Sequence, residues 1–103
     1  MGKEDAMKEL PEVNQELVDA ETLGALFRDI GACAKVLEVI LKGAPAARAQ
    51  ASRPTLQEAH DLLLSGGVRG VQIRYTHEGE EWWDTLLAMR SGFRLVRIRQ
   101  DWS

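Results

Sequence analysis

The chain has 103 residues, a formal net charge of −3, 45% apolar residues and 28% charged residues. This length predicts one domain that forms its core without disulfides, and the lone Cys33 excludes an intrachain disulfide. No apolar run is long enough to span a bilayer and the first residues do not form a secretory signal, so we expect a cytoplasmic protein with no membrane partner.

The N-terminal residues 1–18 are acidic, and their scattered apolar side chains are interrupted by Pro11. We expect them to be a flexible or partly helical arm, followed by a single α+β domain over residues 19–103. Asp19 fits the N-cap of a first helix, and Glu21 places a negative charge where the helix dipole favours it. The apolar side chains that follow at helical spacing are Leu23, Leu26, Phe27, Ile30 and Ala34.

The next segment, residues 36–41, is rich in β-branched side chains and is followed by Lys42 and Gly43, which favours a strand. Continuation of the first helix is the alternative, because Leu37 and Leu41 extend its apolar stripe. Residues 43–54 are rich in alanine and have a proline near each end. They predict an exposed internal loop.

A second helix is predicted over residues 55–65. Thr55 and Glu58 have the spacing of a capping box, in which each side chain bonds the other residue's backbone amide. Leu56 and Leu63 contribute to an apolar face, and Gly66 tolerates the left-handed conformation that ends many helices.

Three strands joined by two tight turns are predicted over residues 68–100. Apolar and polar residues alternate over residues 68–76, which is typical of a half-buried strand, and two more strands are predicted over 81–89 and 93–100. Gly79 and Gly92 suit three-residue hairpin loops that need a left-handed residue.

The pairing register of these strands is left open by the sequence. With three-residue loops, Ile73 and Trp83 share one face of the sheet. Trp82 and Leu86 then lie on the other face. With a four-residue first loop, Tyr75 faces Trp82 and the two tryptophans exchange sides, because a shift of one residue moves every side chain to the opposite face.

Together these elements predict an α+β fold in the order α-β-α-β-β-β. A mainly antiparallel sheet of three to four strands would carry two helices packed on one face. If the 36–41 strand pairs in parallel with the first strand of the hairpins, the 55–65 helix is the crossover connection.

Two helices are too few to cover both faces of this sheet, although both faces are partly apolar. Apolar patches that combine aromatic rings with arginines are typical of interfaces. We therefore expect a non-enzymatic accessory or interaction protein that forms a homodimer or binds another protein. The alternative is that the acidic arm or the loop covers this face. The residues expected at the interface are Arg74, Trp82, Trp83, Leu86, Val96, Ile98 and Arg99.

A second hypothesis is a module that binds single-stranded nucleic acid or a small ligand on the same sheet. The negative net charge and the absence of lysines from the C-terminal third disfavour it. Its candidate residues are Arg69, Arg74, Tyr75, Trp82, Trp83, Arg94, Arg97, Arg99 and Trp102.

Motifs for catalysis, metal binding and cofactors are missing: there is no phosphate loop, dinucleotide fingerprint, nucleophile elbow or zinc spacing. A small active site or metal site at the first hairpin is the third hypothesis, but the spacing of its polar residues fits no known ligand motif. These residues are His77, Glu78, Glu80, Glu81 and Asp84. We expect His60 to be a solvated helix residue and Cys33 to be a small buried side chain.

Overall fold

The computed structural model describes residues 13–44 and 53–101. Residues 1–12 of the predicted arm, residues 45–52 of the predicted loop and Trp102 lie outside this range. Along the described chain the elements are β1 (Val13–Val18), α1 (Ala20–Cys33), β2 (Lys35–Lys42), α2 (Leu56–Ser65), β3 (Gly70–His77), β4 (Glu80–Met89) and β5 (Gly92–Arg99).

The five strands form one antiparallel sheet in the order β1-β5-β4-β3-β2, and the two helices make the fold α+β, as predicted. The predicted order α-β-α-β-β-β and the count of three to four strands are wrong, because Val13–Val18 forms a strand against β5. The strand predicted over 36–41 is confirmed as β2, but it pairs with β3 in the antiparallel sense. The segment between β2 and β3, which contains α2, is therefore not a parallel crossover.

Both helices begin where their capping residues predict. The Thr22 amide donates to the Asp19 carboxylate at 2.8 Å at the start of α1. Thr55 and Glu58 form the reciprocal capping box at the start of α2. Gly66 ends α2 in the left-handed conformation with φ 81°.

The first hairpin turn is one residue shorter than the three-residue loop considered above. Glu78 and Gly79 are its two central residues, with φ of 52° and 83°, and His77 pairs with Glu80. As a result Tyr75 lies opposite Trp82, and Arg74 lies opposite Trp83. The register with Ile73 and Trp83 on one face is wrong, and the tryptophans take the sides of the alternative register.

The helices cover one face of the sheet, which we call the helix face, and the core lies between. Helix residues such as Phe27 and Leu63 pack there against Val71, Ile73 and Leu86 of the sheet. Neither described helix has the length and apolar character needed to cross a membrane.

Candidate functional site

The sheet face opposite the helices is the principal candidate for a binding surface. We call it the open face, since no described helix or strand packs on it. The strand register assigns to it residues of all five strands: Leu17 of β1, Ile40 of β2, Gln72 and Arg74 of β3, Trp83, Thr85 and Leu87 of β4, and Arg94, Val96 and Ile98 of β5. All these positions are half-buried or exposed.

Polar groups over β2, β3 and β4 of the open face are bonded to one another. The Gln72 amide donates to the Thr85 hydroxyl at 3.2 Å, and its oxygen accepts from Arg74 Nε at 3.2 Å. Arg74 Nη1 also donates to Glu38 at 3.2 Å. This network links three strands and fixes the Arg74 side chain on the surface.

Trp83 is held within the same network. The Arg74 guanidinium lies 4.0 Å from the centre of its ring, a cation–π contact, and the indole nitrogen donates to Glu81 at 2.8 Å. The ring is therefore fixed in position, as anchor residues of interfaces commonly are.

The other half of the open face, over β4, β5 and β1, is mainly apolar. Leu87, Val96 and Ile98 lie side by side on β4 and β5, and Leu17 and Met89 beyond them are 55% and 46% exposed. A depression of about 310 Å³ lies between these two side chains, lined also by Gln15, Glu16, Ser91 and Arg94.

The structure divides the seven residues predicted for the interface between the two faces. Arg74, Trp83, Val96 and Ile98 lie together on the open face. Trp82, Leu86 and Arg99 lie on the helix face, where Leu86 is fully buried. Their assignment to the uncovered face is wrong, because the shorter hairpin turn shifts β4 by one residue relative to β3.

The arginines considered for nucleic-acid binding are divided in the same way. Arg74 and Arg94 lie on the open face, whereas Arg97 and Arg99 lie on the helix face. The guanidinium of Arg74 occupies one face of the Trp83 ring, so that face is not available to a stacking base. Trp102 lies outside the described residues.

A buried carboxylate on the helix face is a feature that the sequence analysis missed. Asp84 is fully buried in the middle of β4 and accepts from Arg97 Nε at 3.0 Å and from Nη2 at 2.8 Å. The Tyr75 hydroxyl donates to the same carboxylate at 3.1 Å. Cross-strand pairing of Asp84 with Arg97 is the sequence signal, but it requires the correct register.

This environment changes the ionisation of both partners of Asp84. Burial, and then the negative charge of Asp84, raises the pKa of the Tyr75 phenol well above its usual value. The hydrogen bonds to Asp84 raise the pKa of the Arg97 guanidinium. Both groups therefore stay protonated around neutral pH.

A shallow cleft of about 220 Å³ lies beside this triad, between the C-terminal half of α1 and the sheet. Its lining residues are Leu26, Asp29, Ile30, Cys33, Ala34, Tyr75, His77 and Arg97. The His77 Nδ1 donates to the Cys33 carbonyl at 3.1 Å, which satisfies one of the terminal carbonyls of α1. Cys33 is exposed, so the expected buried side chain is wrong.

The polar residues of the first hairpin do not converge on one site. Glu78 is 84% exposed, Glu80 pairs with Arg99 at 2.9 Å and Glu81 bonds Trp83, while Asp84 lies on the helix face. Within residues 13–44 and 53–101, no group of three or more His, Cys, Asp or Glu side chains could hold a metal ion.

The sequence predicts that His60 lies in solvent, but its ring packs between the two helices. Its ring stacks on Phe27 with centroids 4.9 Å apart, so it belongs to the contact between the two helices. The ring nitrogen Nε2 is buried and has no hydrogen-bond partner among the residues that the structure describes.

Comparison of the chain with protein-family models, with curated proteins and with solved structures finds no match.

Proposed function

We propose that this chain is a small non-enzymatic interaction protein whose open face packs against the open face of a second copy. The observation that carries the proposal is the combination on this face of an uncovered apolar half with a polar half whose groups already bond one another. Two sheets packed face to face form a well-known architecture, with a core about 10 Å thick.

The bonded polar half supports burial of the entire face. Leaving a buried polar group without a partner costs about 1–3 kcal/mol. Gln72, Arg74 and Trp83 each have at least one partner within the same chain, so covering them with a second sheet leaves fewer polar groups to satisfy than an unpaired polar surface would. Most exposed polar groups instead bond water and lose that bond when they are covered.

The dimensions of the open face suit a specific dimer. Five strands about 4.8 Å apart and seven residues rising about 3.3 Å each give a flat area of about 550 Å². The corrugation of side chains increases this value, and specific interfaces bury about 800 Å² on each partner. The whole face is therefore needed, including Trp83 at its centre.

The charges on the open face are of both signs, with an excess of cations. Lys35, Lys42, Arg74 and Arg94 lie on it together with Glu38 and Glu81. Arg74 pairs with Glu38, while Lys35 and Lys42 belong to the edge strand β2, at the rim of the face. Charges at the rim stay in water when two copies pack together, so their mutual repulsion is weak and is screened by salt.

The proposal is tested with charged substitutions in the apolar half. Val96→Glu places a carboxylate in the middle of the proposed interface, where it would be buried without a partner. We expect the dissociation constant measured by sedimentation velocity to rise by at least about 100-fold, equivalent to about 2.8 kcal/mol. Leu64→Glu is the matched control, since Leu64 is exposed on α2 and lies outside the open face.

Three results would contradict the proposal. The first is an intact chain that is monomeric at all concentrations. The second is dimerisation that both variants leave unchanged. The third is an intact chain that is monomeric but forms a dimer after deletion of residues 1–12. In that case the arm, rather than a second copy, covers the open face of the intact chain. Salt-sensitive binding of a single-stranded oligonucleotide that Val96→Glu abolishes would favour the nucleic-acid hypothesis instead.

A further inference from the structure

The helix face carries an arginine whose guanidinium is bonded to the protein along one edge. Arg97 uses Nε and Nη2 to bind the buried carboxylate of Asp84, which is also fixed by Tyr75. Its remaining nitrogen, Nη1, forms no hydrogen bond with any described residue. A guanidinium offers five donors in a planar fork, so the Nη1 and Nη2 edge is left for a second acceptor.

Arg97 lines the cleft beside α1. Nε and Nη2 point toward Asp84, which is fully buried, while 31% of the Arg97 side chain is exposed and lines the cleft. Arg97 is thus the cation that a ligand in the cleft can reach. Holding the side chain in one orientation before the ligand arrives removes much of the entropic cost of binding.

The walls of the cleft indicate what kind of molecule could bind beside Arg97. Leu26, Ile30 and Ala34 of the α1 side are apolar, and the Tyr75 ring belongs to the opposite wall. The volume of about 220 Å³ is below the range of about 300–1,000 Å³ found for drug-sized ligands, so the ligand is small. Neither ring nitrogen of His77 is available to the ligand, since Nδ1 bonds the Cys33 carbonyl and Nε2 lies 3.8 Å from the Glu78 carboxylate.

We propose that this cleft binds a small carboxylate with a short apolar body, clamped end-on by Arg97. The carboxylate accepts two hydrogen bonds from the Nη1 and Nη2 edge, and the apolar body contacts Leu26 and Ile30. The negative charges of Glu16, Asp29 and Asp84 and the C-terminal end of α1 oppose an anion here, so we expect weak binding, with a dissociation constant of about 1 mM. The proposal is independent of the open face, which lies on the other side of the sheet.

The experiment is an NMR titration of the full chain with butyrate, and with butyramide as the neutral ligand of the same shape. We expect saturable shifts of the amides of Ile30, Ala34 and Arg97 with butyrate and none with butyramide. Arg97→Lys keeps a positive charge beside Asp84 but lacks the second pair of N–H donors that would bind the ligand. The dissociation constant for butyrate should therefore rise at least about tenfold. Arg90→Lys, an exposed arginine in the β4–β5 turn, should bind as the wild type does.

A second variant tests the cleft if Arg97→Lys fails to fold. Ala34→Leu places a larger apolar side chain in the cleft and leaves Asp84 and Arg97 unchanged, and it should abolish the butyrate shifts. The source of the carboxylate is distinguished with a short peptide that ends in a free carboxylate and with its amidated form. If the peptide with a free carboxylate binds more tightly than butyrate, the natural ligand is the C-terminus of a peptide or protein. If butyrate binds more tightly, the natural ligand is a small free carboxylic acid.

Four results would overturn the proposal. They are no saturable shift with butyrate or the free peptide, equal binding of butyramide, unchanged binding in a folded Arg97→Lys variant, and unchanged binding in Ala34→Leu. Because the open face takes no part in these measurements, they leave the proposal of a homodimer to its own test.

Discussion

At the scale of single residues, Tyr75 reports directly on the buried triad. It is the one tyrosine in the sequence, so phenolate absorbance titrates this residue alone. Its folded-state pKa lies above the unfolded value of about 10, so the stability it contributes is complete below pH about 10 and is lost as pH rises further. We expect the native phenol to ionise only together with alkaline unfolding.

The controls for this titration are simple. In concentrated guanidinium chloride the same phenol should titrate with the ordinary tyrosine pKa of about 10. Tyr75→Phe should remove the absorbance change in both conditions. A folded chain whose phenol ionises reversibly near pH 10 would contradict the buried hydrogen bond to Asp84.

Asp84 and Arg97 allow a second prediction at this scale. Asp84→Asn leaves the Arg97 charge partly buried without its counter-ion, and breaking such a pair costs about 3–5 kcal/mol. Replacing the triad with apolar residues, as Asp84→Leu, Arg97→Met and Tyr75→Phe together, should recover most of that loss in urea unfolding. If the triple variant has a lower free energy of unfolding than Asp84→Asn, the prediction is contradicted. The triad would then stabilise the fold by more than the cost of burying its own polar groups.

The wrong predictions for three single residues have the same cause. The sequence alone places Asp84 at the hairpin tip, His60 in solvent and Cys33 in the core, and the structure differs at all three. Their environments depend on which strand or helix lies opposite, and that is a tertiary relation. Asp84 became recognisable as a buried ion-pair partner only once β4 and β5 were aligned.

At the scale of elements, the end signals of the helices were reliable because they are local. The capping box of α2 involves residues three apart, so the sequence contains both partners. Thr55→Ala should lower the free energy of unfolding by about 1 kcal/mol, whereas Thr55→Ser keeps the hydroxyl and should lower it less. Equal losses for both variants, measured by thermal unfolding, would contradict the capping role.

Two features of the strands could not be predicted locally. Residues 13–18 show little apolar alternation, and β1 forms because β5 offers it an edge to pair with. The first turn uses Glu78 at positive φ, where Asn, Asp or Gly is usual, so the two-residue turn left no clear sequence signal. Since the register follows from that turn, the assignment of Trp82 and Leu86 failed with it.

At the scale of the whole molecule, the two helices cover one face of the sheet, and no other element among the described residues covers the opposite face. The sequence was sufficient to predict this imbalance, since two helices cover only one side of a sheet. It was not sufficient to predict which of the adjacent tryptophans would lie on the open face. Trp83 lies there, with Arg74 on its ring and Glu81 on its nitrogen.

The central claim is that the open face is covered by a second copy. Nuclear Overhauser effects between isotope-labelled and unlabelled copies in a mixed sample test it most directly, because they identify the atoms in contact between molecules. We predict intermolecular effects at the methyl groups of Val96 and Ile98 and at the Trp83 ring. A mixed sample that shows none at these side chains, or shows them only at the helices, would contradict the account.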